Sequence, residues 1–305
     1  MIARTVLGDI EPDQLGATLC HEHLLTRPPA WAREQDSDMV LDDYDKAGAE
    51  LDALAAVGGG ALVEMTTADY GRDAAGLRAI AERSSVHVIA ATGYQKGTFY
   101  PPSVHEEDAE TIAARFVNDV TSGMDGTDVR AGVVKFGSCR TDALMAEELV
   151  VLEATARTQL ATGVPISTHT QAGTLGLDQV AGFIAHGVPP SRILVGHLDR
   201  NLDLGYLREV AATGVWLGFD HWTKPKYPND ELRADLLGRL LDEGFTQVMA
   251  AGDLGRPSYQ PAYGGTPGFA AVLTAVGGRI GVEAAELVFV RNPRAFFAFD
   301  PRGGA

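Results

Sequence analysis

The stretch ATLCHEHLL, residues 17–25, decides the fold. An apolar run of strand length ends in two histidines one residue apart, and no glycine-rich turn follows it. A first strand leading into GxGxxG would announce a doubly wound sheet with one ligand crevice. A first strand ending in polar side chains suits a barrel, in which every strand end converges on one mouth.

Seven further segments repeat the pattern: GALVEMT (60–66), VHVIAATG (86–93), AGVVKFG (131–137), VPISTH (164–169), RILVGH (192–197), GVWLGFD (214–220) and QVMAAGD (247–253). Amphipathic stretches such as YDKAGAELDALAAVG (44–58) and AEELVVLEATARTQLATG (146–163) separate them, several ending in a glycine suited to a helix C-cap. Strict alternation of strand and helix implies parallel strands joined by right-handed crossovers. The near-continuous apolar strands imply burial on both faces. The histidines, lysine and aspartate at the C-terminal strand ends favour the barrel over the doubly wound sheet. The expectation is one α/β domain over residues 1–305, a (β/α)8 TIM barrel of the metal-dependent hydrolase type. After the eighth strand, LGRPSYQPAYGGTPGFA and helical stretches through AAELVFVRNPRAFFAF are expected to close the outer ring.

Composition narrows the function classes. Of 305 residues, 45% are hydrophobic and 22% charged, which fits a folded globular chain. The longest apolar runs fall far short of a membrane span, and MIARTVLGDIEPDQLG lacks a signal-peptide core, so a cytoplasmic location is expected. Cys20 and Cys139 form no CxxC pair, in keeping with a reducing compartment. A net charge of −16 repels nucleic acid and anionic membrane. An anionic substrate therefore needs a local basic cluster.

Side chains two apart on a strand share a face, so His21 and His23 can enter the lumen together and grip one cation. Glu22 and Cys20, on the alternate face, point outward and are not expected to bind metal. One HxH also suits histidines that simply hydrogen-bond at a strand end. His169, His197 and Asp253, at the ends of three further strands, turn the pair into a set. Imidazole with carboxylate suits zinc, manganese, cobalt or iron rather than magnesium or calcium. Lys135, flanked by apolar residues, faces a desolvation penalty that lowers its pKa. Its neutral amine can take up carbon dioxide as a carbamate bridging two metals, or it can reach the mouth and pair with substrate or a carboxylate.

LGATLCHEHLL, VVKFG, ISTHT, VGHLDRN, GDLGRPSY and NPRAFFAF, in that order and across nearly the whole chain, resemble the phosphotriesterase family of the amidohydrolase superfamily, including its lactonase branch. The resemblance implies a binuclear metal centre, zinc by preference, in which His21, His23 and Asp253 hold the more buried ion and His169 and His197 the more exposed one. Lys135 would bridge them as N6-carboxylysine. Two such ions share a hydroxide that attacks the substrate, with Asp253 shuttling its proton to the leaving oxygen. Tyr94 resembles the family's active-site tyrosine, with packing against the barrel mouth as its alternative. A homodimer is expected by family analogy. Cys139 is incidental, since the hydroxide already supplies the nucleophile.

The centre suits a lactone, a carboxylic ester or a phosphotriester, so the loops must choose. FDHWTKPKYPND carries Lys224 and Lys226, and GDLGRPSYQPAYGG carries Arg256 and Tyr259. These form an anion site with Arg256 as phosphate clamp, or they are solvated loop charges with Arg256 neutralising an acidic neighbour. The second loop is similar to that of the phosphorylated sugar lactonase branch. In the acyl-homoserine lactonase branch an arginine typically follows LD after strand seven, whereas FDHW has His221, which either faces substrate or supports the loop. The expected activity is opening of a phosphorylated aldonolactone, with promiscuous phosphotriesterase activity. The alternatives are a phosphotriesterase, a general carboxylesterase-lactonase, or a barrel that binds a ligand without catalysis.

Overall fold

The computed structural model describes residues 1–224, 226–227 and 229–301. Pro225 and Pro228 of the strand-seven loop, and the last four positions of the expected domain, lie outside the described residues. A short antiparallel hairpin, β1 (Ala3–Thr5) and β2 (Gly8–Ile10), comes first. Eight parallel strands follow: β3 (Ala17–Glu22), β4 (Gly59–Glu64), β5 (His87–Gly93), β6 (Val133–Gly137), β7 (Ile166–His169), β8 (Ile193–Val195), β9 (Trp216–Phe219) and β10 (Val248–Ala250). Each pairs with its sequence neighbour from β3 to β10; seven lie inside the apolar runs marked in the sequence, and β4 starts one residue before its run. The sheet is a (β/α)8 barrel.

The helices sit where the amphipathic stretches placed them because their first turns are capped. Asp43, Asp73, Asp108, Asp203 and Asn229 each accept a backbone N–H from the turn they precede. Such a cap contributes about 1 kcal/mol. Gly163, with φ of 74°, ends the long helix Ala146–Thr162 in the left-handed conformation that glycine adopts without strain. The hairpin β1–β2 was not expected. It covers the bottom of the barrel, where Val6 N–H donates to the Val88 carbonyl at 2.8 Å and Arg4 donates to the Val120 carbonyl at 2.7 Å. Among the described residues no helix is long and apolar enough to cross a membrane.

The seam between β10 and β3 is closed by a side chain. Glu22, fully buried, accepts the backbone N–H groups of Gly252 and Leu254, and Asp253 N–H donates to the His21 carbonyl at 3.1 Å. Glu22 thus points away from the lumen, as alternation required, and stitches first strand to last. Glu22→Ala leaves two buried donors unpaired and is expected to cost about 2–5 kcal/mol. Urea unfolding checks this, and an unchanged midpoint would remove the seam role.

Candidate metal centre and substrate pocket

The strand ends bring His21, His23, Lys135, His169, His197 and Asp253 together at the C-terminal mouth. The rings of His21 and His197 lie 4.7 Å apart and those of His169 and His197 4.4 Å apart. Asp253 Oδ1 lies 3.5 Å from His23 Nε2 and 3.9 Å from His21 Nε2. One nitrogen each of His21 and His197 and one oxygen of Asp253 fall within 4.8 Å of one another. His197 and Asp253 reach these positions from strained backbone, with φ of 60° and 47°.

Neighbours orient the rings. His197 donates from Nδ1 to Asp220 Oδ1 at 2.6 Å, and His23 Nδ1 contacts Thr66 Oγ1 at 2.7 Å, leaving Nε2 of each ring available to a cation. Burial and the nearby Lys135 hold the His21 imidazole well below its usual range, and burial with Lys96 does the same for His169, so both rings are neutral, the form that can bind a cation. Burial opposes charge on Asp253, but Lys224 and His23 outweigh it and hold the carboxyl well below the carboxylate range. The donor set fits divalent cations. Both ring nitrogens of His21 are buried without a hydrogen-bond partner, an arrangement that costs free energy unless a ligand satisfies it.

Lys135 is fully buried, and its Nζ donates to the Met65 carbonyl at 2.9 Å and to Gln95 Oε1 at 2.6 Å. Burial pulls its pKa down to about 8, which makes the neutral amine accessible. His221 donates from Nδ1 to Asp220 Oδ1 at 2.9 Å and turns Nε2 towards Asp253 Oδ2 at 3.5 Å. Its backbone N–H donates to Asp199, which a buried Arg233 also holds at 2.8 Å. His221 therefore faces the centre and belongs to a buried network.

A cavity of about 270 Å³ opens above these residues. Lys224, Lys226, Arg256 and Tyr259 all line it, with Tyr70, Gln95, Lys96, Gln171, Arg200 and Tyr227, none of which the sequence singled out. Lys224 is buried rather than solvated and pairs with Asp253 Oδ2 at 2.8 Å. Lys226 is exposed at the rim. Arg256 reaches the cavity but also donates to Asp36 Oδ2 at 2.6 Å, so neutralisation of an acidic neighbour, weighed against the clamp, is present in the structure.

Tyr94 is not brought to the centre. Its ring packs against Tyr100 and Phe116 at centroid distances of 5.5 and 5.1 Å, and its hydroxyl meets Arg115 on the helix Ala109–Thr121. Gly93, with φ of 98°, ends β5, and Gln95, the residue after Tyr94, faces Lys135 instead. Asp69 fixes this arrangement by accepting Gln95 N–H on its carboxylate at 2.9 and 3.0 Å. Packing against the barrel is thus what the structure records for Tyr94.

A barrel with imidazoles, a carboxylate and a buried lysine converging at its C-terminal mouth defines a hydrolase scaffold suited to divalent metal. Sequence comparison is specific about which one. The chain belongs to the phosphotriesterase family, a family of binuclear metal hydrolases, whose model matches residues 1–297. It is similar to a phospho-furanose lactonase of Mycoplasmopsis synoviae, 32% identical over 329 residues covering 98% of this chain and 92% of that protein. Its fold superimposes on a lactonase from Listeria monocytogenes with a TM-score of 0.93 at 30% identity, covering 98% and 100% of the two chains. The phosphotriesterase homology protein from Escherichia coli, solved with phosphate in its active site, gives a TM-score of 0.89 at 32% identity over 94% and 100% of the chains. The protein is accordingly an enzyme, a hydrolase acting on esters.

Proposed function

We propose that this protein opens a small sugar lactone bearing a phosphate. One observation carries the reading: in a chain of net charge −16, the cavity lining gathers Lys96, Arg200, Lys224, Lys226 and Arg256 against the single carboxylate of Asp253. Such a field concentrates an anionic substrate at the mouth. The phospho-furanose lactonase among its relatives supports the same substrate class.

His21, His23 and Asp253 would hold one cation, His169 and His197 a second, and Lys135, carboxylated on Nζ, would bridge the pair. When bound, such ions supply Lewis acidity and bring a water's pKa towards neutrality. The chain's own residues do the rest. Asp253 accepts a proton on its carboxylate and returns it to the ring oxygen that leaves. His221 Nε2, 3.5 Å from Oδ2, offers the next position for that proton. Gln95 and Tyr70 line the wall on which a furanose ring would rest. Lys226 and Arg256 meet the phosphate.

The test is turnover on matched five-carbon aldonolactones with and without a terminal phosphate, for the metal-loaded wild type and for Arg256→Met. The wild type is expected to prefer the phosphorylated member. The variant is expected to raise its KM about ten-fold, the worth of a charge-assisted hydrogen bond, while sparing the uncharged lactone. Equal effects on both would demote the basic cluster, and activity on neither would turn the reading to phosphotriesters.

A further inference from the structure

Residues 26–41 form a compact loop over the mouth, its ends tied by paired backbone bonds between Thr26 and Leu41 at 2.8 and 3.0 Å. One side of the loop is apolar. Ala32 and Met39 pack with Tyr70 and Phe99, and the Trp31 ring stacks on Phe99 at 5.4 Å. The other side is acidic and grips the loop after β10. Asp36 Oδ2 accepts from Arg256 Nη1 at 2.6 Å, Asp38 lies 3.5 Å from the same nitrogen, and Asp38 also accepts the N–H and hydroxyl of Ser258 at 2.9 and 2.6 Å.

The charges do not match a resting anion clamp. Arg256 lines the substrate cavity, yet two carboxylates stand against its one guanidinium, and Lys226 is close enough to act on Asp36 as well. A phosphate arriving at Arg256 finds the guanidinium already engaged by Asp36 and Asp38. It can bind fully only by displacing Asp36, and the Asp36 side chain is 40% exposed, free enough to be displaced. A half-exposed ion pair is worth little, so the exchange is within reach of a doubly charged ligand.

We propose that Asp36 is a specificity-determining residue: its carboxylate occupies Arg256 in the free enzyme and competes with the anionic end of the substrate. This rests on the phosphate reading of the pocket. Loop 26–41 thereby sets a threshold, in which a phosphate, charged and bidentate, outcompetes one carboxylate and a weaker anion does not.

The experiment titrates inorganic phosphate into the metal-loaded wild type, Asp36→Asn, Arg256→Met and the double variant by calorimetry. Asp36→Asn is expected to tighten phosphate binding about three- to five-fold, the scale of a lost half-exposed charge pair. The gain is expected to vanish in the Arg256→Met background. Unchanged or weaker binding in Asp36→Asn overturns the proposal, as does a gain that survives without Arg256. Because phosphate is the probe, the result stands apart from lactone turnover. If the wild type shows no preference for a phosphorylated lactone while the coupling between Asp36 and Arg256 persists, the substrate reading has failed and the competition has not.

Discussion

Asp253→Asn is expected to lower lactone turnover by about 10³-fold, the scale of losing a general acid–base group. The asparagine keeps an oxygen towards the cluster but cannot accept a proton at neutral pH. Lys224 and His23 hold the native carboxyl well below its ordinary range against the cost of burial, so Asp253 is ionised at neutral pH. Activity should therefore not fall off between pH 5 and 8 through this group alone. Metal content and turnover must be read together. Loss of turnover with two ions retained per chain supports the proton-transfer role, loss of both assigns Asp253 to ligation only, and full turnover removes it from the chemistry.

Lys135→Met is expected to reduce bound metal below two per chain and turnover to background, while the metal-free protein stays folded. Methionine matches the lysine stem in volume and removes a fully buried amine, a change that hydrophobic cores tolerate. The native residue carries a pH signature. With its pKa brought down by burial from 10.5 to about 8, the amine is protonated below that point and neutral above it. Only the neutral form adds carbon dioxide. Reconstitution of the metal-free wild type with zinc at a constant concentration of dissolved carbon dioxide should accelerate about ten-fold per pH unit up to about 8 and level off above it. Elemental analysis and stopped assays follow both. Two ions and native turnover in the methionine variant would show that the lysine bridges nothing.

The barrel was legible because its signal repeats. Eight apolar runs, nearly all with a polar residue towards the C-terminal end, leave few topologies, and the structure places a barrel strand on each run. The hairpin at the start was not legible, since strands of three residues carry no period to read. The six residues of the expected metal set meet because His169 ends a strand, His23, His197 and Asp253 follow one, and His21 and Lys135 reach the same mouth from within β3 and β6. Tyr94 obeys the alternation of its strand: Thr92 bonds Asp119 of the helix Ala109–Thr121, Tyr94 two positions on packs against Phe116 of that helix, and Gln95, on the other face, is the residue turned inward. Asp220, Asp199 and Arg233 went unnoticed because a carboxylate after an apolar strand looks like an ordinary strand end until its imidazole or guanidinium partner is known. The contact of Arg256 with Asp36 spans 220 positions, and no local pattern announces it.

The left-handed backbone at His197 and Asp253 carries a consequence for anyone who would harden this enzyme against heat. A side chain held at such angles costs about 1–3 kcal/mol, and here two positions of the candidate centre bear that cost. Glycine at either site would relieve the main chain and empty the centre. A search scored on melting temperature alone will find these positions attractive and return inert barrels, so a stabilisation campaign has to hold both fixed and take its gains from helix caps and exposed loops.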